Sequence, residues 1–411
     1  MLGTKLQVLL CHKNLEYLHS PSIHIFIDWL RDGVLLVVKM LYRLKKILKD
    51  YFQKNLGISF IFKLFITEES IARQESVMVL LVKSVLLVIL REKNPLKLLR
   101  LNMKVLGIGN AIIDVICKVD DSFLKNNKLT KGTMKLVDEN EFKTLKLNLK
   151  IQETVSGGSV ANTIVGLSQL NNDVGFIGKI NDDDFGKEYE DGLKKENVAF
   201  FYSKKKEEIP TGTCLILITP DSERTMCTFL GIAGKIKDAD IDIQAIKNSN
   251  ITFFEGYLWD EGHPKKAFEK ALKNSKKTAM SLSDKFCVDR HKSSFLNLVK
   301  NSLDITFANE QEILSLIDAK NFDDVISFGK SIKKLMVITR GNKGSIAIQD
   351  EKVVQFGIQK NLKVIDLTGA GDLFAAGFLH GQINNLSLKE SLEKGTEMSS
   401  KIIQRIGARL S

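Results

Sequence analysis

From Met103 onward, short apolar runs alternate with longer stretches in which apolar residues recur every three or four positions. "KVLGIG", "VGFIGKI", "CLILIT", "ITFFEG", "TAMSLS", "DITFAN" and "LMVITRG" are the short runs, and most close on Gly, Asn, Ser or Thr. Unbroken apolarity over so few residues predicts strands buried on both faces. Between several of them lie helical patterns such as "KKAFEKALKNS" and "FDDVISFGKSIKK". That rhythm predicts βαβ units and an α/β fold with a mainly parallel sheet covered by helices. "FYSKKKEE", "TCLILIT" and parts of "ICKVDDSFLKNNKLTKGTMKLVDENEF" read instead as hairpin strands, which predicts a small flap beside the main sheet. "KVIDL" reads as a strand ending that runs into the helix "LFAAGFLHG". Ligands of open parallel sheets sit beyond the carboxyl ends of the strands, so the residues after each apolar run are the site candidates.

Residues 1–102 follow a different pattern. They hold 3 of the 28 glycines, and the apolar run "VMVLLVKSVLLVIL" stands among sparse turn residues. Its 14 residues fall short of the roughly 20 that a membrane span needs. It is no signal peptide, since it starts far from the N-terminus and lacks a small-residue cleavage site. Two readings of residues 1–102 stand open: an untranslated stretch, with initiation at Met103, or a disordered or amphipathic extension. Residues 103–411 are expected to form the working domain, with no stable insertion into a membrane.

Charge sharpens that division. Of the net +11, residues 1–102 carry +8, from 16 Lys+Arg against 8 Asp+Glu, and the remainder carries +3, from 44 against 41. The larger part has no basic stripe with interleaved aromatics, which argues against nucleic acid as a partner. A composition of 44% hydrophobic and 27% charged residues suits a globular chain. Cys11, Cys117, Cys214, Cys227 and Cys287 show no CxxC spacing, as expected of reduced thiols in the cytoplasm.

The candidate chemistry lies after the apolar runs. In "DLTGAGDLFAAGFLHG", Gly369, Ala370 and Gly371 leave backbone N–H groups open to an anion at a helix start. Asp372 there reads either as a base for an attacking hydroxyl or as a helix cap. The helix dipole is expected to lower its pKa, giving an ionised but weak base. In "VSGGSVANTIVGLSQL", Gly157 and Gly158 admit a ligand to the backbone, Ser159 is placed to cap the following helix, and Asn162 shares its face. Gly, Ser and Asn offer neutral partners for sugar hydroxyls, against the plainer reading of an ordinary helix entry. Asn110 and Asp114 in "GIGNAIIDVI" could fork onto vicinal hydroxyls, and Arg224 in "ERTM" could neutralise a phosphoryl group. "FANEQE" sets Asn309 and Glu312 where oxygen ligands suit a hydrated magnesium ion. "TRGNKG" is a glycine turn suited to nucleotide phosphate or ribose. Neither GxGxxG nor GxxxxGK[ST] occurs, so Rossmann and P-loop sites have no support.

"SGGSVANT", "GKINDDDFG", "TGTCLILIT", "FANEQE", "TRGNKG" and "DLTGAGDLFAAGFLHG" occur in the order seen in ribokinase-like (PfkB) carbohydrate kinases, which the chain resembles from Met103 to Ser411. "GNAIIDV", "DSERTMCTFLG", "FFEGYLWD", "SLSDKFCVDRH" and "IIQRIGARL" resemble the adenosine kinase branch of that family. The resemblance implies a three-layer α/β sandwich with a small β lid. It implies transfer of the ATP γ-phosphoryl group to the 5′-hydroxyl of adenosine, in the cytoplasm, by a monomer or homodimer. Asp372 matches the family's base; Gly369, Ala370 and Gly371 match its anion hole, and Arg224 its phosphate contact. Asn110, Asp114, Gly157, Gly158, Ser159 and Asn162 fall where the family binds its acceptor. Asn309, Thr339, Gly341 and Gly344 match ATP-binding positions, with Glu312 on Mg2+ through water. Asp366 and Thr368 fall where relatives hold a monovalent cation such as K+. Leu367 departs from the Thr common there. A kinase for a furanose such as ribose or fructose, and a catalytically silent nucleoside-binding regulator, are the rival readings.

Overall fold

The computed structural model describes residues 103–410 apart from Asn148, Ser222 and residues 260–263, and the expectations for residues 1–102 lie outside the described residues. The chain enters on β1 (Met103–Ile108) and crosses at once to β2 (Ile112–Lys118) in a second sheet. Next come α1 (Asp121–Asn126), β3 (Met134–Leu136), α2 (Glu139–Leu147), β4 (Ile151–Gly157) and α3 (Ser159–Gln169). After β5 (Val174–Ile177), α4 (Asp184–Lys195), β6 (Ala199–Phe200), β7 (Gly212–Ile218) and β8 (Arg224–Phe229), the chain returns to the main sheet. It continues through α5 (Ile243–Lys247), β9 (Ser249–Glu255), α6 (Pro264–Asn274), β10 (Thr278–Ser281), α7 (Lys285–Asn301), β11 (Ile305–Asn309) and α8 (Glu310–Leu316). It closes with α9 (Phe322–Ile332), β12 (Leu335–Thr339), β13 (Ser345–Gln349), β14 (Lys352–Phe356), α10 (Ala370–Ile383) and α11 (Leu388–Ile402).

The large sheet runs β14-β13-β12-β11-β10-β9-β1-β5-β6, parallel from β6 to β12 and antiparallel through β13 and β14. Because strand side chains alternate, the apolar runs feed two separate cores. Val105, Phe253, Ala279, Phe307 and Val337 pack with α3, α4, α10 and α11. Leu106, Phe254, Met280, Met336 and Ile338 pack with α5 to α9. That makes three layers, as the sequence predicts.

The small sheet runs β3-β8-β7-β2-β4 and is the expected lid. Its membership differs from expectation. "FYSKKKEE" forms no hairpin with β7, whose antiparallel neighbour is β8. Phe200 instead lies 6.1 Å from Tyr189 and 6.4 Å from Phe176, and β6 pairs with β5 at the edge of the large sheet. The lysines and glutamates that follow are poor strand material and leave the sheet at once. "KVIDL" is also not a strand. The sheet edge is already taken by β14, and Ile365 and Asp366 donate only to the Ile403 carbonyl. Val364 and Leu367 are accordingly 56% and 68% exposed.

Close helix packing sets up the site. A Cβ at Gly377 of α10 would fall 2.3 Å from the Lys394 carbonyl of α11, so glycine there lets the two backbones nearly touch. On the other side Thr163 Oγ1 donates to the Asp372 carbonyl at 3.0 Å. The amino ends of α3 and α10 therefore sit side by side, beyond the carboxyl end of β1.

Candidate active site

Asp372 lies in the first turn of α10, after Gly369 turns the chain at φ +76°. A side chain at Gly369 would also meet Ala408 at 2.7 Å. Ala370 N–H is taken by the Leu367 carbonyl at 3.2 Å. The amides of Gly371 and Asp372 are those that helix geometry leaves open for an anion. A Cβ at Gly371 would meet no atom within 4 Å, so the chain's own packing does not demand glycine there.

The two readings of Asp372 can now be separated. It caps nothing, since no side-chain cap bond closes α10. Its Oδ1 accepts from Ser159 Oγ at 2.7 Å and its Oδ2 from Asn162 Nδ2 at 3.0 Å. Desolvation pushes its pKa up to about 6, against the lowering by Ser159 and Asn162 hydrogen bonds. The dipole argument gave the wrong sign because burial outweighs it at this depth. A value near 6 leaves Asp372 mostly ionised at pH 7 and a stronger base than an ordinary aspartate.

Ser159 is likewise not a cap. Gly158, at φ +95°, holds the cap position of α3 without a side-chain bond. Glu255 at the end of β9 does that work instead. Its carboxylate accepts from Val160 N–H at 3.0 Å and from Asn110 N–H at 2.8 Å. Burial pushes Glu255 up to about 7. The sequence reading missed Glu255, although a lone carboxylate closing the apolar run "ITFFEG" is a readable signal.

Asn110 is 2% exposed, its amide oxygen has no partner among the described residues, and its amide nitrogen is met only by the Glu255 carboxylate nearby. Buried amide groups without partners are rare and point to a ligand. Asp114, on β2, faces the Gly157 backbone, where a Cβ would fall 2.4 Å from its carboxylate. Desolvation pushes Asp114 up to about 7, partly offset by Arg409. Asn162 is more occupied than predicted: it spans Asp372 and, through its oxygen, Arg409 Nε at 3.0 Å. Arg409 is the second residue missed, and a single arginine in "GARL" carries no periodic signal.

Arg224 comes from the lid. Its guanidinium meets Asp366 at 2.9 Å and donates to Thr368 Oγ1 at 3.3 Å, beside the Gly369 turn. Asp366 also accepts from Gly407 N–H at 2.8 Å and from Thr368 N–H and Oγ1 at 3.0 and 2.8 Å. With its oxygens so engaged and a guanidinium on them, the pair Asp366 and Thr368 does not fit a monovalent cation.

The strands β11 and β12 bring Asn309 and Thr339 opposite each other. Asn309 and Glu312 close a reciprocal capping box at the start of α8. Burial pushes Glu312 up to about 7. Gly341 and Gly344, at φ +56° and +84°, bracket the adjoining turn. The described residues hold no group of three or more His, Cys, Asp or Glu placed to bind a metal. A single carboxylate with an amide suits magnesium only as an ion that keeps its waters and shares substrate phosphates.

A family profile described as pfkB family carbohydrate kinase matches residues 104–411. The chain belongs to this family. It is 24% identical over 330 residues to adenosine kinase 2 of Arabidopsis thaliana, covering 74% of this chain and 94% of that one. It is 27% identical over 267 residues to 5-dehydro-2-deoxygluconokinase of Mesomycoplasma hyopneumoniae (strain 232), covering 60% and 78%. The crystal structure of adenosine kinase from Sinorhizobium meliloti superposes with a TM-score of 0.71 at 36% identity, over 75% of this chain and 96% of that one. This pfkB family kinase is thus a sugar or nucleoside kinase, a phosphotransferase with an alcohol acceptor, and its family implies ATP as donor. Among the described residues no helix is long and apolar enough to cross a membrane.

Proposed function

We propose that this kinase transfers the γ-phosphoryl group of ATP to the 5′-hydroxyl of adenosine, giving AMP and ADP. The observation that carries the chemistry is Asp372, held by Ser159 and Asn162 beside the open space at Gly371. As the acceptor O–H breaks, its proton passes to Asp372. The new O–P bond forms while the bond from Pγ to the bridging oxygen breaks, leaving that electron pair on ADP. Amides of the α10 first turn and Arg224 are placed to stabilise charge on the transferring group. Glu312 and Asn309 would hold, through water, a magnesium ion bound with ATP, which would supply further neutralisation of the phosphates. No monovalent cation enters the proposal.

Adenosine is favoured over a bare sugar by the lid. Strand alternation and pairing put Asp114 and Arg224 on one face of the lid sheet with Ile112, Ile116, Cys214, Ile216, Ile218 and Met226. Two polar groups in an aliphatic field suit a ribose carrying an apolar ring. The face is aliphatic, and Phe229 packs on the opposite side against Phe142 at 5.6 Å. The 36% identity to an adenosine kinase points the same way. Asn110 and Asp114 then take the ribose hydroxyls.

ADP release measured with adenosine, other nucleosides, ribose, fructose and 5-dehydro-2-deoxygluconate tests the reading. Adenosine is expected to give the highest kcat/KM by a wide margin. A preference for any free sugar moves the protein to the sugar kinases, and nucleoside binding without turnover would identify a silent binder.

A further inference from the structure

Asn162, which holds Asp372, is itself held. An asparagine amide has a donor end and an acceptor end, and half a turn exchanges them. The acceptor end facing Asp372 would repel the carboxylate and leave no bond. Arg409 decides the matter, because a guanidinium has donors only and can face nothing but the amide oxygen. Its Nε donates to Asn162 Oδ1 at 3.0 Å, which turns Nδ2 onto Asp372 at the same distance.

The segment that delivers Arg409 is tied to both sides of the site. Gly407 N–H donates to Asp366 at 2.8 Å, Ala408 fills the space over Gly369, and the Leu410 carbonyl accepts from Gln169 of α3 at 2.9 Å. Arg409 is 9% exposed, yet its Nη2 has no hydrogen-bond partner among the described residues. Leaving a buried donor unmet is destabilising. A packing role alone would favour an apolar side chain there.

We infer that Arg409 is a positioning residue for phosphoryl transfer, acting through Asn162 to aim the carboxylate of Asp372 at the acceptor hydroxyl. The inference rests on Asp372 being the base. Arg409 also acts at a distance through its charge. The charged groups around Asp372 are Arg409, Asp114 on β2 and Glu255 on β9, with Arg224 reaching Asp114 from β8. Asp114 and Glu255 are anions or neutral acids, and Arg409 is the cation that lowers both Asp372 and Asp114. Removing it must raise the pKa of Asp372 further.

The test compares full-length Arg409→Met, Arg409→Lys and Asp372→Asn by kcat and KM across pH 5–9, with nucleoside binding by calorimetry. Arg409→Met is expected to lower kcat at pH 7 by about tenfold with KM nearly unchanged. Its acid limb should move up by about half a pH unit or more. Arg409→Lys keeps the charge and loses the rigid fork, so its acid limb stays while kcat falls. A merely structural arginine would lower the melting temperature and leave the pH profile in place, and that result overturns the inference. So does wild-type kcat in Arg409→Lys, which decides the matter alone if the methionine variant does not fold. Asp372→Asn separates the two levels. If it keeps a tenth of turnover, the base assignment fails; if it is dead while Arg409→Met is normal, only the arginine's role fails.

Discussion

The proposed acceptor and donor sides differ in how far their charged groups are paired with one another. On the acceptor side, Asp114, Glu255 and Asp372 are carboxylates whose pKa values are pushed up by desolvation, to about 7, 7 and 6. Beside them the buried Asn110 amide oxygen has no partner among the described residues. On the donor side, Arg340 and Lys343 both reach Glu310, at 3.3 and 3.2 Å. The Arg340 guanidinium lies 3.5 Å over the Phe322 ring, and hydrogen bonding from Arg340 holds Glu310 below its ordinary value. There the surface charges pair with one another, although burial also raises Glu312 to about 7 and the Ser345 hydroxyl has no hydrogen-bond partner among the described residues. On the proposed reading, the acceptor side is completed by hydroxyls of the substrate. A neutral acceptor, as proposed, needs such a prepared surface, whereas ATP arrives with charge of its own to bind.

The largest effect expected is that of Asp372→Asn. General-base catalysis contributes about 10²–10⁴-fold, and kcat should fall by that much while nucleoside affinity stays within a few-fold. Single-turnover kinetics and calorimetry check this, and a tenth of wild-type turnover would remove Asp372 from the mechanism. Next comes Gly371→Ala. Its methyl would meet no protein atom, so the melting temperature should hold while kcat falls about tenfold through the lost anion approach. Gly369→Ala is the control, since φ +76° and Ala408 at 2.7 Å make it destabilising whatever the substrate does. If both variants lose only stability, the space at Gly371 has no catalytic use.

Much of this was legible beforehand, and the failures share a cause. The apolar runs predicted the parallel sheet because a strand buried on both faces admits nothing else. The glycine-flanked Asp372 was legible because its neighbours have almost no side chain. What could not be read was where each side chain finds its partner across the fold. Ser159 reads as a cap until Glu255, 95 positions away, is seen holding Val160. The direction of the Asp372 shift depended on burial, which a local dipole argument omits. "KVIDL" has strand composition and lost only the competition for a sheet edge.

A third prediction sets stability against activity. The raised values of Asp114, Glu255 and Asp372 mean that the folded chain holds these protons more tightly than the unfolded one. Their stabilising contribution is therefore fully present below about pH 4 and is lost as pH rises through about 6 to 7. Buried Glu312, at about 7, adds to the trend, and His380, held low by burial, opposes it. Glu310 is lowered, so its contribution is lost only in acid, below about pH 4.5. Between pH 8 and 5.5 the ligand-free protein should gain a few degrees in Tm, while kcat/KM falls as Asp372 protonates near pH 6. Asp114→Asn should raise Tm at pH 8, flatten the trend and weaken adenosine binding. A wild-type Tm that falls steadily across that window would contradict the desolvation account.

The smallest effect belongs to the donor side. Arg340 is one-fifth exposed or less, as is Glu310, with side-chain values of 18% and 20%. A pair that still keeps contact with solvent contributes little, on the order of 1 kcal/mol, and stacking over Phe322 adds about 0.5–1 kcal/mol. Arg340→Ala should therefore loosen the turn between Gly341 and Gly344 without unfolding it. The KM for ATP should rise by less than about tenfold, with kcat and the KM for adenosine unchanged. Salt offers a second reading, because screening weakens an exposed pair: the gap between wild type and variant should narrow as ionic strength rises. Lys343→Ala should do less still, since that lysine is 60% exposed. The contrast between the halves predicts this separation of ATP from adenosine. An Arg340→Ala variant that raised both KM values alike would show that the two halves are mechanically one, and that their different charge plans do not divide the work.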